Sequence, residues 1–180
     1  MAEIIVMKIK VALLGEGTVG KTSLLCRYVY DEFNDKYLKT FGTKTTKKVV
    51  EVVDPKDNAI IEMNLLLTDV MGQTSLQGLH EKYLFGIQAA ILVTDITNRR
   101  SIECLDKWVE TIDKVAGKIP MIFVANKYDL LPQAAFTVDE LLALSQKYNS
   151  PCYATSAKTG ENVDFMFKTL GKLLLKLRYQ

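Results

Sequence analysis

The sequence predicts an α/β protein: a mostly parallel six-stranded sheet with one antiparallel edge strand and helices on both faces. Three observations lead there. Short apolar, β-branched runs alternate with amphipathic segments along the chain, the pattern of right-handed βαβ units. The first run joins the first helix through a glycine-rich turn at residues 15–22, spaced G-x-x-x-x-G-K-T. Early in the chain, two strand-like runs are separated only by the turn residues 54–58, so they fold back as an antiparallel hairpin.

The elements follow in order. Residues 8–14 are apolar enough for a buried strand, and 23–29 read as a helix. Residues 31–42 are polar, aperiodic and broken by Gly42, a long loop of the kind that carries function. Residues 46–53 and 60–67 are the hairpin strands. The pattern breaks at Asp69 and again at Gly72, then runs through a polar, helix-like segment to about residue 85. Residues 89–95 form a continuous apolar run, as expected of a strand covered on both faces. Ile102, Leu105, Val109, Ile112 and Val115 recur at helical spacing, with Ser101 or a neighbour as the cap. Residues 120–125 are another buried strand, ending at Asn126. Residues 137 to about 148 are a helix opened by Thr137-Val138-Asp139-Glu140, which fits a capping box. Residues 151–155 make a short last strand, and 160 to about 178 a final amphipathic helix.

At 180 residues the chain is expected to be one domain with a full core. It is 48% hydrophobic and 24% charged, with a net charge of +2, so nothing points to nucleic acid as a partner. Cys26, Cys104 and Cys152 lie far apart without metal-ligand spacing and suit a reducing compartment. The single histidine, His80, has no companion ligand and reads as a surface residue. No run approaches a membrane span, the amino terminus is no signal peptide, and Leu177-Arg178-Tyr179-Gln180 offers no cysteine for prenylation. The expectation is a cytoplasmic protein without a membrane anchor. Lys168, Lys172 and Lys176 share one side of the last helix, either as a solvated face or as a membrane-surface stripe.

Four segments carry chemistry, each at or after the carboxyl end of a strand, where open α/β sheets bind ligands. The loop Glu16, Gly17, Thr18, Val19, Gly20, with Lys21, Thr22 and Ser23 opening a helix, lets successive N–H groups converge on an anion. Lys21 would reach the β- and γ-phosphates, and the Thr22 hydroxyl would ligate Mg²⁺. In Asp69-Val70-Met71-Gly72, Asp69 follows a strand and suits a Mg²⁺ carboxylate, direct or through water. Gly72 can bring its N–H to the γ-phosphate, and Gln73 is placed to orient an attacking water. In Asn126-Lys127-Tyr128-Asp129, the Asp129 carboxylate can accept from the N1–H and N2–H₂ of guanine, a pair adenine lacks. The Lys127 stem can cover the base, and Asn126 can tie this loop to the phosphate loop. Ser156-Ala157-Lys158 can offer a backbone N–H to the guanine O6. Taken singly, each has a bland reading as a turn; D-x-x-G and the tripeptide mean little alone.

Together, in this order and spacing, the four segments resemble the Ras superfamily of small GTPases and its P-loop NTPase, small G-protein fold. The resemblance is greatest to the Rab branch, through Thr18-Val19-Gly20-Lys21-Thr22-Ser23-Leu24-Leu25 and Thr155-Ser156-Ala157-Lys158-Thr159-Gly160-Glu161-Asn162-Val163. It implies GTP/GDP and Mg²⁺ as cofactors, slow hydrolysis of GTP, and protein regulators and effectors docking near residues 33–45 and 69–85 of a monomer. It implies that Phe33 packs edge-on against guanine, that Tyr37 lies over the phosphates, and that Thr40 ligates Mg²⁺ only in the GTP state. Gly17 falls where a small residue leaves room for Gln73 and a partner's arginine. The chain departs from the pattern at Met71, which replaces an alanine beside the phosphates and is expected to press on the loop near Thr40. It departs again at Thr74, Ser75 and Leu76, and at Thr45 and Thr68, which replace two aromatics that Rab effectors read. Two functions stay open: a hydrolysing switch, or a constitutively nucleotide-bound scaffold.

Overall fold

The computed structural model describes residues 4–34, 43–70 and 83–179. Its centre is a six-stranded sheet in the order β2-β3-β1-β4-β5-β6. The strands are β1 (Ile4–Leu14), β2 (Thr43–Val53), β3 (Ile60–Val70), β4 (Ala89–Asp95), β5 (Met121–Asn126) and β6 (Cys152–Ala154). Every neighbouring pair is parallel except β2 with β3, so the expected antiparallel edge strand is β2.

Strand alternation sorts the core into two layers. Ile9, Val11 and Leu13 of β1 and Ile91 and Val93 of β4 pack with helices α1 (Lys21–Tyr30) and, near the carboxyl end, Val163–Leu175. Tyr28 of α1 stacks on Phe167 with ring centroids 3.7 Å apart, which locks those two helices together. The intervening residues Ala12, Leu14, Ala90, Leu92 and Phe123 face the other side and pack with Leu105, Val109, Ile112 and Leu141. A one-residue slip in any central strand would exchange the two faces, so burial on both sides fixes the register.

Several boundaries differ from the sequence expectation, each for a local reason. β1 starts at Ile4, four residues before the expected 8, because β3 offers it a partner from Ile60 onward. β3 runs through Val70, so Asp69 lies within the strand, between Lys44 and Leu13, rather than after it. The segment expected as one helix near 101–115 is interrupted at Cys104, giving α2 (Arg99–Glu103) and α3 (Leu105–Ala116). The cap of α2 is Asn98, whose side chain accepts from the Arg100 N–H at 3.1 Å, and not Ser101. Ser101 is fully buried, donating to the Asn98 carbonyl at 2.6 Å and accepting from the Asp95 N–H at 3.1 Å.

α4 (Val138–Lys147) has the expected capping box, with Thr137 Oγ1 accepting from Glu140 N–H and Glu140 Oε1 from Thr137 N–H. The last helix, α5 (Val163–Leu175), begins three residues after Gly160, since Gly160 and Asn162 hold positive φ values of 85° and 55°. It closes in a 3₁₀ turn, Lys176–Tyr179. Between β5 and α4, where the sequence indicated only a loop, Tyr128–Gln133 forms a 3₁₀ helix. The helix-like segment expected to about residue 85, with His80, lies mostly outside the described residues. No helix among the described residues is long and apolar enough to cross a membrane.

The parallel register carries the functional consequence. Leu13 pairs with Asp69, Leu14 with Leu92, Asp95 with Asn126 and Ala125 with Ala154. The carboxyl ends of five strands, and the loops leaving them, therefore stand side by side on one edge of the sheet.

Candidate functional site

At the end of β1 the chain turns sharply through Gly15, with φ 139°, where an added Cβ would lie 2.2 Å from the Val93 carbonyl oxygen. No residue but glycine fits that contact. Thr18 also holds a positive φ of 68°. Gly20, at φ 96°, is the residue before α1, and a Cβ there would meet Asn126 Nδ2 at 2.4 Å. No side chain caps α1 at Gly20, so the first-turn N–H groups remain oriented toward an approaching anion. Val19 is fully buried and anchors the loop in the core.

Lys21 is buried, its Nζ donating to the carbonyls of Gly15 (2.9 Å) and Glu16 (2.7 Å). Burial lowers its pKa to about 8, against the opposing pull of the Asp69 and Glu16 carboxylates. A phosphate oxygen offers this ammonium what two carbonyls cannot, a full negative charge. The Glu16 side chain turns to α2, with Oε2 4.0 Å from Arg100 Nε. Only the backbone of Glu16 therefore contributes to the cradle. A Cβ on Gly17 would meet none of the described residues within 4 Å.

The Thr22 hydroxyl donates to Asp69 Oδ2, joining α1 to the end of β3. A hydroxyl and a buried carboxylate are hard oxygen donors, which fits Mg²⁺. Among the described residues, no group of three or more His, Cys, Asp or Glu side chains could hold a metal alone. Mg²⁺ does not need one, since it keeps several waters and takes one or two protein oxygens plus phosphates.

The other half of the site is organised by Asn126. Its Nδ2 donates to the Val19 carbonyl at 2.9 Å, and its Oδ1 accepts from Thr155 Oγ1 and Ala157 N–H, both at 3.2 Å. This one buried amide ties the phosphate loop to the 155–158 loop. Any contact from the Ala157 N–H to a base oxygen has to compete with Asn126 Oδ1. Asp129, in the 3₁₀ helix, is held through Oδ1 by the Ser156 hydroxyl at 2.6 Å. Lys127 is strained into the left-handed region at φ 62°, and its Nζ meets Asp95 Oδ2 at 2.6 Å. Its stem is thereby pinned. Phe33 is half-buried and packs on the α1–α5 side of the core. Lys158 is exposed, and Ser23 is half-buried in the first turn of α1. The structure thus gathers Gly15–Thr22, Asp69, Asn126–Asp129 and Ser156–Lys158 at one edge. Tyr37, Thr40, Met71, Gly72 and Gln73 lie outside the described residues.

Two contributors escaped sequence reading. Asp95 ends an apolar strand and pins Lys127, but a single acid there has no motif. Arg27 reads as an ordinary base near a helix carboxyl end, favoured by the dipole. In the fold its Nε donates to the Ala157 carbonyl and Nη2 to the Lys158 carbonyl, both at 2.8 Å. Nη1 pairs with Asp31 at 2.8 Å. The planar fork bridges α1 to the 155–158 loop, which a lysine's point charge cannot imitate. Replacing Arg27 by Ala is expected to speed hydrogen exchange of the amides in the 155–158 loop about tenfold, with Lys restoring little of the protection. Exchange at the parent rate would show that the fork does not hold this loop.

Comparison with known proteins agrees with this geometry. The sequence model of the Ras family matches residues 10–176, from β1 through α5. Ras-related protein Rab-21 of Homo sapiens is 33% identical over 168 residues, covering 93% of this chain and 72% of the relative. Its counterpart in Bos taurus is 33% identical, with 93% and 73% covered. That of Mus musculus is 32% identical over the same shares. This chain belongs to the Ras family of small GTPases and is Rab-like within it.

Proposed function

We propose that this one-domain protein is a molecular switch that binds GTP and GDP with Mg²⁺ and hydrolyses GTP to GDP, changing partner affinity through two loops. The observation that carries the reading is the bond from Asn126 to the Val19 carbonyl, which unites a phosphate cradle with a base-reading loop. In this account the loop N–H groups of residues 16–22 hold the phosphates. Lys21 Nζ exchanges the Gly15 and Glu16 carbonyls for β- and γ-phosphate oxygens. Thr22 and Asp69, with Thr40 in the GTP state, would hold Mg²⁺, which neutralises charge on those oxygens when bound. Asp129, oriented by Ser156, accepts the two parallel hydrogen bonds that only guanine offers. Lys127 covers the base while Asp95 fixes its head. Phe33 and Tyr37 close over the nucleotide, Gly72 donates its N–H to the γ-phosphate, and Gln73 orients the attacking water.

Regulators and effectors would read residues 33–45 and 69–85, which the γ-phosphate orders, a known switch type. The protein acts as a cytoplasmic monomer in this reading. A second reading, a scaffold that keeps its nucleotide unhydrolysed, is favoured by Met71 and by the unusual flank Thr74-Ser75-Leu76.

Competition binding tests the base assignment: GTP should displace fluorescent GDP and ATP should not, and equal competition by ATP would sink it. Asp129→Asn should weaken GTP about a hundredfold through loss of a charged hydrogen-bond pair, while xanthosine triphosphate gains affinity. Single-turnover assay separates the two readings. Unassisted hydrolysis on the order of 10⁻⁴ s⁻¹, slowed further by Gln73→Leu, is the switch result. Nucleotide that stays triphosphate over many hours in the parent, at the same rate as the Gln73→Leu protein, is the scaffold result.

A further inference from the structure

A cavity of about 520 Å³ lies between the β2–β3 turn and the end of α5, at the start of β3 and so at the opposite edge of the sheet from the nucleotide site. Val52, Pro55, Leu175 and the Tyr179 ring make its wall mostly apolar. Lys172 and Lys176 line it from the carboxyl end of α5, both exposed. Neither has an ion-pair partner among the described residues. Lys56 joins them, its Nζ 3.5 Å from the Tyr179 ring centroid. The lining includes one acid, Asp54, and it is fully buried and engaged: Oδ1 accepts from the Lys56 N–H at 2.9 Å and Oδ2 from the Tyr179 hydroxyl. An apolar chamber with a cationic border, its one acid buried and already hydrogen-bonded, is complementary to an anionic amphiphile.

Size narrows the occupant. The volume falls in the range of small-molecule pockets, about 300–1,000 Å³. It is too small for more than about one turn of a peptide helix roughly 10 Å across. The sequence pattern left the lysines of α5 open between a solvated face and a membrane stripe. The structure separates them, since Lys172 and Lys176 line the cavity and Lys168 does not.

We propose that this cavity binds a single-chain fatty carboxylate, with the chain against Val52, Pro55, Leu175 and Tyr179 and the carboxylate against Lys172 and Lys176. The proposal stands apart from the nucleotide reading. It is tested by titrating the full chain with the fluorescent fatty acid cis-parinaric acid. Saturable binding of one molecule per chain is expected, displaced by dodecanoate and about tenfold less well by dodecanol, which lacks the charge. Lys172→Glu combined with Lys176→Glu should weaken binding about tenfold or more, since two attractions become repulsions. Val52→Trp, which fills the chamber, should abolish it. Val52 also packs on the core, so if that variant does not fold, the paired lysine reversals at exposed positions decide alone. No saturable binding, equal displacement by acid and alcohol, or binding unchanged by the lysine reversals each overturns the proposal. So does sedimentation with phosphatidylserine vesicles without binding of the free acid, which would mark the lysines as a membrane-facing patch only.

Discussion

The contact on which the site depends is the buried amide of Asn126. It sits at the last residue of β5, where pairing with Asp95 of β4 fixes its backbone. From there its donor reaches the phosphate loop at Val19 and its acceptor the 155–158 loop. The geometry is demanding on both sides. Gly20 has to lack a Cβ, because the amide nitrogen occupies the space such an atom would take, 2.4 Å away. An unsatisfied buried amide group costs about 1–3 kcal/mol, so the loops gain by closing around Asn126 rather than leaving it unpaired. The 16–22 loop and the 155–158 loop are thus held by one buried network.

A second constraint is electrostatic. Lys21, Glu16 and Asp69 are brought together where little water reaches, and desolvation alone drives the lysine toward neutrality. The acids that oppose this are kept from crowding an anion by other contacts. Glu16 leans to Arg100, and Asp69 takes the Thr22 hydroxyl. The site is therefore arranged so that positive charge and N–H groups face inward while its carboxylates are held aside or poised to share a cation. Arg27 and Asp95 extend the same logic outward, one holding the 155–158 loop and the other Lys127.

Much of this was legible in the sequence, for physical reasons. The glycine spacing, the strand before it and the helix after it report backbone geometry directly, so the tight turn of residues 15–22 between β1 and α1 could be read without the fold. Asn126 and Asp129 were readable because a polar cluster ending a fully apolar strand has to face the carboxyl edge of the sheet. Arg27 and Asp95 were not, since their partners lie 130 and 32 residues away and only tertiary packing brings them close. Between the two candidates the sequence left open, Ser101 or a neighbour, packing decides: Ser101 has the right chemistry but faces the core, and Asn98 does the capping. The end of β3 was misplaced because Asp69 looks like a terminator, whereas β1 and β2 pair with it on either side. The apolar chamber beneath α5 has no sequence motif at all. It arises where a hairpin turn meets a helix end.

The central claim is that Asn126 couples the two halves of the site, and hydrogen exchange of an Asn126→Ala protein tests it most directly. The account predicts that amides of residues 19–22 and 155–158 lose protection together, while those of β4 and α4 keep theirs. Loosening of one loop alone, or of neither, would contradict it.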